Sequence, residues 1–314
     1  MKLDWKKWST DERLLKRLII MVSALVVLVI VAFAGYYYYD RYYSAKPKAM
    51  DVNIQKAEQA VTLDPKNLDK RLDLANLYLI NNRFTEAIAN ATQVLQQDPQ
   101  NQKGWLILGL GYAMISKPEA AVEPLQKYYD ANKNSPMPGL NKTLQTAAYY
   151  LGVSYYKMGQ VDKAAEPLEN AVGWAKTDAD AMYQLGLVYT AQKNYNDALA
   201  MFTYATTLVP DYREAYEGMA NVFTQTNQTD LVNYAQGMVS YSNKDYAKAV
   251  ELLLKSVQAK ADFSPAFSGL GLSYEALGDL QQAKVAFDTA LKLEQTNLTA
   301  QQGSQRVANL LNKK

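Results

Sequence analysis

The sequence predicts an all-α chain: an α-solenoid of stacked helix–turn–helix repeats preceded by one N-terminal transmembrane helix. Three observations predict it. The 22 residues from Leu18 to Tyr39 carry no charge. Beyond residue 49, apolar residues recur at helical spacing with no strand-like alternation. Six alanines, Ala87, Ala121, Ala164, Ala198, Ala249 and Ala283, stand in one local setting at spacings of 34, 43, 34, 51 and 34.

The N-terminal element comes first. A run of 22 residues at 1.5 Å rise spans about 33 Å, slightly more than the hydrocarbon core of a bilayer. A buried core helix is seldom apolar on every face for so long. The flanks give direction. Residues 1–17 hold six basic residues (Lys2, Lys6, Lys7, Arg13, Lys16, Arg17) against Asp4, Asp11 and Glu12. Formal net charge over the 314 residues is +2, so the rest of the chain is net −1 and the positive excess is N-terminal. Under the positive-inside rule the N-terminus faces the cytoplasm and the remainder lies outside it. Tyr36, Tyr37, Tyr38 and Tyr39 then form a membrane-interface belt, with Trp5 and Trp8 a looser counterpart. Ala32-Phe33-Ala34 also has the small-x-small form of a signal-peptide cleavage site. An interface belt makes sense only if the segment is retained, which favours the anchor. Both readings export the remainder of the chain.

The repeats occupy most of that remainder. Twelve residues before the six alanines stand Ala75, Gly109, Gly152, Gly186, Gly237 and Gly271; nine before them stand Tyr78, Tyr112, Tyr155, Tyr189, Ser240 and Tyr274. Four after them stand Ala91, Leu125, Leu168, Phe202, Leu253 and Phe287. Small residues let paired helices approach, and large ones fill the gaps between pairs. One pair cannot bury its own apolar face, so pairs stack. The register, clearest in Ala181–Pro210 and Ala266–Leu293, closely resembles the tetratricopeptide repeat, with Pro65, Pro99 and Pro210 at the closing position. The resemblance covers about residues 50–297. The glycine of "LGLGYA" is thereby a packing residue and not part of a phosphate loop.

The expected organisation is a basic segment at 1–17, the transmembrane helix at 18–39 and a Tyr-rich joint at 40–49. Residues 50–227 hold a half repeat, four full repeats and another half repeat. Two more repeats occupy 228–297, and 298–314 is a polar capping helix. The spacing of 43 arises from an insertion at Lys133–Leu144. The spacing of 51 arises from an extra half unit, Arg213–Gln225, with a discontinuity or hinge expected near Thr226–Asp230. Pro124 and Pro167 fall inside second helices as tolerated bends.

The resemblance implies that first helices line a concave protein-binding groove. By register that surface holds Leu72, Asn76, Leu106, Leu110, Met114, Tyr149, Val153, Tyr156, Tyr183, Leu187, Tyr234, Met238 and Tyr241, an aromatic and aliphatic face with few charges. The Lys, Arg and Asn clamp of carboxylate-binding relatives is missing. The expected partner is therefore an apolar or aromatic-rich protein segment. The chain has no Cys and no His, which excludes disulfides, thiolate chemistry and His-based catalysis or metal ligation. No catalytic, cofactor or metal motif stands out. Asp178 and Asp180 read as helix caps. Dispersed Lys and Arg argue against nucleic acid. The reading is a single-pass, membrane-anchored adaptor or scaffold, not an enzyme, without cofactor or small-molecule substrate. The alternative is a structural subunit or spacer in a larger membrane or cell-surface complex.

Overall fold

The computed structural model describes residue 16, residues 20–33 and residues 49–312. It divides into two units, Met1–Leu63 and Asp64–Lys314. In the first, residues 20–33 are helical with every side chain exposed, and a further helix, α1, runs Ala49–Leu63. Among the described residues no helix is long and apolar enough to cross a membrane. The transmembrane helix expected over 18–39 is thus not found. The described part of the run, residues 20–33, spans about 21 Å at helical rise, and residues 18–19 and 34–39 of the expected span lie outside the described residues. The Tyr36–Tyr39 belt and the joint over 40–48 lie outside the described residues, as does the basic segment apart from Lys16.

The second unit is an antiparallel succession of helices: α2 (Leu68–Ile80), α3 (Phe84–Gln97), α4 (Gln102–Met114), α5 (Pro118–Asn132), α6 (Lys142–Lys157), α7 (Val161–Trp174) and α8 (Ala179–Ala191). It continues through α9 (Tyr195–Leu208), α10 (Arg213–Gln225), α11 (Thr229–Ser242), α12 (Tyr246–Ala259), α13 (Ser264–Leu277), α14 (Leu280–Leu293) and α15 (Leu298–Leu311). No strand occurs among the described residues. Helix starts are written locally. Asn67, Asn101, Asn141, Asp178 and Asn297 each accept a bond from the backbone N–H three residues on, at 3.0–3.1 Å. These caps open α2, α4, α6, α8 and α15.

The small-residue register works as close packing requires. A Cβ placed on Gly109, Gly152, Gly186, Gly237 or Gly271 would lie 2.5–2.7 Å from Leu125, Leu168, Phe202, Leu253 or Phe287, respectively. Each partner is the large residue four positions after the repeat alanine. The gap left by the glycine is therefore filled by that large residue, not by the alanine itself. Where the filler is phenylalanine, the next helix also gives way: Phe202 meets Gly218, and Phe287 meets Gly303. The six repeat alanines are fully buried.

The insertion at Lys133–Leu144 contains a 3₁₀ turn, Pro138–Leu140, laid against α7. Gly139 faces Trp174, and the Gln145 amide donates to the Gly139 carbonyl at 2.7 Å. At the other end, α15 buries Ala300, Gly303 and Val307 and keeps its remaining side chains half or fully exposed. A two-pronged ion pair from Arg306 to Glu275, at 2.6 Å on each prong, ties it to α13.

The spacing of 51 has a specific structural cause. Each hairpin turn within a repeat contains one residue with positive φ: Asn82, Ser116, Gly159, Lys193, Asn227, Lys244 and Gly278. Two of these turns are consecutive, Asn227 between α10 and α11 and Lys244 between α11 and α12. Helix α11 is therefore the second helix of one pair and the first helix of the next. Helices α2, α4, α6, α8 and α10 touch laterally in series; beyond the slip the lateral series is α11, α13, α15. The role of first helix passes from one layer of the array to the other. What stands at Thr226–Asp230 is this change of phase. Val222, Phe223, Leu231 and Tyr234 share one buried cluster across it.

Candidate protein-binding groove

Helices α6, α8 and α10 bring the tyrosines together. Tyr149 meets Tyr150 edge-on at 5.0 Å between ring centroids. Tyr183 lies 5.5 Å from Tyr212 and 6.0 Å from Phe202. Of the groove positions expected from sequence, Leu106, Tyr149, Tyr156, Tyr183, Leu187 and Tyr241 are half-buried, and Asn76 and Met114 are exposed. Leu72, Leu110, Val153, Tyr234 and Met238 are buried among neighbouring helices. The first set keeps accessible surface, and the second set packs in the interior of the array. Tyr234, Met238 and Tyr241 belong to α11, beyond the phase slip, and so do not continue the α6–α8–α10 surface.

The expectation of few charges does not hold here. Asp178 caps α8, as the sequence indicates, but Asp180 instead accepts the Tyr212 hydroxyl at 2.5 Å. Burial first, and then the charge of Asp180, push the Tyr149 and Tyr150 hydroxyls above the ordinary tyrosine range. Burial, Glu214 and Glu217 do the same for Tyr183. Burial and the bond to Asp180 raise Tyr212. These rings therefore stand neutral in a negative field. A hollow of about 370 Å³ opens between Tyr149, Tyr150, Asp178 and Asp180, with Lys142 on its wall. A smaller one of about 170 Å³ is also lined by Tyr149 and Tyr150, with Val153 and Lys157.

A second concave feature sits at the phase slip. It is a cavity of about 510 Å³ lined by α9, α10, α11, α13 and the turn into α15. Tyr216, Met219, Phe223, Leu231 and Met238 give it an apolar wall. Tyr234 stacks edge-on between Tyr216 at 6.1 Å and Phe263 at 5.0 Å. Burial drives the Tyr216 and Tyr234 hydroxyls far above their ordinary value. The folded pKa values exceed the unfolded value of about 10, so this contribution to stability is complete below pH 10 and is lost as pH rises beyond it. Stability should fall above pH 10 by about 1.4 kcal/mol per pH unit for each tyrosine kept neutral by the fold. Denaturant titrations at a series of alkaline pH values check this. Tyr234→Phe should make the decline shallower, and an unchanged slope would refute the assignment.

Comparison with known proteins places the architecture. Family models described as tetratricopeptide repeat match residues 72–136 and 265–297, and the model for anaphase-promoting complex, cyclosome, subunit 3 matches residues 140–204. The chain carries tetratricopeptide repeats. Protein O-mannosyl-transferase TMTC1 of Mus musculus is 24% identical over 162 residues, 52% of this chain and 17% of that protein. Tetratricopeptide repeat protein 7A of Homo sapiens is 29% identical over 115 residues, 35% of this chain and 13% of that protein. The chain thus spans less than a fifth of the length of either curated relative. Among solved structures, YrrB, described as a tetratricopeptide protein with an unusual peptide-binding site, is 19% identical with a TM-score of 0.48. That match covers 67% of this chain and 95% of YrrB. MamA is 24% identical with a TM-score of 0.44, covering 62% of this chain and 95% of its own.

In this tetratricopeptide array, sequence register finds Tyr149, Tyr156 and Tyr183 but misses Tyr150, Tyr212, Asp180, Glu214 and Glu217. The signal for Tyr212 is faint: it precedes α10, which reads from sequence as an extra half unit, and its bond partner Asp180 lies 32 residues earlier.

Proposed function

We propose that this tetratricopeptide protein is a single-pass, membrane-anchored adaptor whose repeats bind a client or assembly partner outside the cytoplasm. Its mechanism is binding rather than turnover. The observation that carries this reading is the half-buried tyrosine surface of α6, α8 and α10. Tyrosine supplies wide contact area, one hydroxyl and low entropy cost, which suits recognition. The apolar cavity at the phase slip adds room for bulky apolar side chains, in keeping with an apolar or aromatic-rich partner segment. Anchoring is supported by residues 20–33: a helix apolar on all faces and exposed along its length calls for an apolar solvent. The basic flank at 1–17 supports the orientation.

A photo-crosslinking residue at Tyr156, in native membranes, should capture a discrete partner. The same residue at Tyr204, which is 56% exposed on α9, should not. Equal capture at both positions would refute groove recognition. Digestion of the repeats by protease added from the cytoplasmic side would refute the orientation.

A further inference from the structure

The tyrosine surface carries more chemistry than an apolar face needs. Four carboxylates border it: Asp178 and Asp180 at the start of α8, and Glu214 and Glu217 on α10. Arg213 is occupied by the latter two, at 2.8 Å and 3.8 Å. Lys142 and Lys157 are the other cations on the walls of the two hollows. The groups that act on the Tyr149, Tyr150 and Tyr183 hydroxyls are carboxylates and other tyrosines, all opposing ionisation. The charged groups that line the first hollow are Asp178 and Asp180 against Lys142, a negative balance. Aromatic faces attract cations through their quadrupole, and nearby carboxylates add to that attraction when the site is partly desolvated. An acidic segment would meet repulsion, and a wholly apolar one would leave unused the acceptor capacity that Asp178 and Asp180 retain beside the α8 cap and the Tyr212 hydroxyl.

We propose that the hollow between Tyr149, Tyr150, Asp178 and Asp180 seats a lysine or arginine side chain of the partner segment. The segment is then a basic-apolar peptide: its cation enters this hollow and its apolar residues lie along the neighbouring rings. This inference rests on the reading of α6, α8 and α10 as the binding surface.

The test uses the full chain in phosphatidylcholine nanodiscs, with empty discs as the blank. The probes are three fluorescein-labelled nonapeptides of alternating leucine and X, where X is arginine, glutamine or glutamate. The arginine peptide should bind about tenfold tighter than the glutamine peptide, and the preference should shrink as salt is raised. The variant carrying Asp178→Asn and Asp180→Asn removes two charges while keeping both acceptors, for the α8 cap and for the Tyr212 hydroxyl. It should lose most of the arginine preference and leave glutamine-peptide binding unchanged. Equal binding of the arginine and glutamine peptides, both lost with Tyr149→Ala plus Tyr183→Ala, would overturn the cation site and leave the groove standing. Binding that ignores the tyrosine substitutions, or no binding by any of the three, would overturn both. Salt dependence on the unmodified chain gives an independent reading: an arginine preference unaffected by salt would also count against the proposal.

Discussion

Replacing Phe202 with alanine is expected to destabilise the repeat array by about 3–5 kcal/mol. The ring is fully buried, and it fills the space between two backbones. A Cβ on Gly186 of α8 would lie 2.6 Å from it, and one on Gly218 of α10 would lie 2.5 Å from it. Both walls are glycine, so neither can extend a side chain into the void that truncation leaves. The cost therefore includes an unrelieved cavity as well as the lost transfer energy. Phe202→Leu should cost less, because leucine fills the equivalent place at Leu125, Leu168 and Leu253. Gly186→Ala should cost about 1–3 kcal/mol by overpacking. Combined with Phe202→Leu it should cost less than the sum, since the two changes share one space. In a repeat array, loss is felt first by the neighbours, so amide exchange in α8–α10 should accelerate before the ends of the array. Urea unfolding followed by circular dichroism, together with that exchange, measures the effect. A loss below about 1 kcal/mol would show that the ring is not a wedge between the two helices.

This wedge is also why so much of the fold is legible in the chain. Close crossing of two helices demands a small residue on one and a filler on the other, and that demand recurs at fixed separation. The small residues twelve before each repeat alanine, the alanines themselves and the fillers four after them are therefore visible as a register. The phase slip is only half visible. Its length appears as the spacing of 51, but its cause is a hairpin turn used twice running. The left-handed position of that turn is held by asparagine, serine, glycine or lysine in different copies. So varied a set leaves no motif to read. The groove divides in the same way. Tyr149 and Tyr156 share one face of α6, Tyr183 takes the position of Tyr149 on α8, and all three follow from register. The acidic border does not, because Asp180 and Glu214 belong to the first turns of α8 and α10 and meet the rings only after stacking. Leu72, Leu110 and Val153 share these register positions yet are buried, because how far a neighbour covers a position differs from repeat to repeat and register does not record it.

The largest functional effect is expected at Tyr149 and Tyr183. Tyr149→Ala together with Tyr183→Ala should weaken binding of the captured partner by about 2–4 kcal/mol, or roughly 30- to 900-fold in affinity. Each ring is half-buried and backed by another aromatic, Tyr150 behind Tyr149 and both Phe202 and Tyr212 behind Tyr183. The rings are thus held in place before a partner arrives, and little rotamer freedom remains to be lost on binding. Their loss should cost the fold far less than Phe202→Ala, because no closed cavity forms under a half-exposed ring. Affinity and stability should therefore separate: the double variant keeps its urea midpoint near that of the parent chain and loses its partner, whereas Phe202→Ala loses stability first. Tyr204→Ala, removing an exposed ring from α9, should change neither. Unchanged affinity in the double variant would exclude α6 and α8 as the recognition surface. A collapse of stability in step with affinity would recast the two rings as packing residues between repeats.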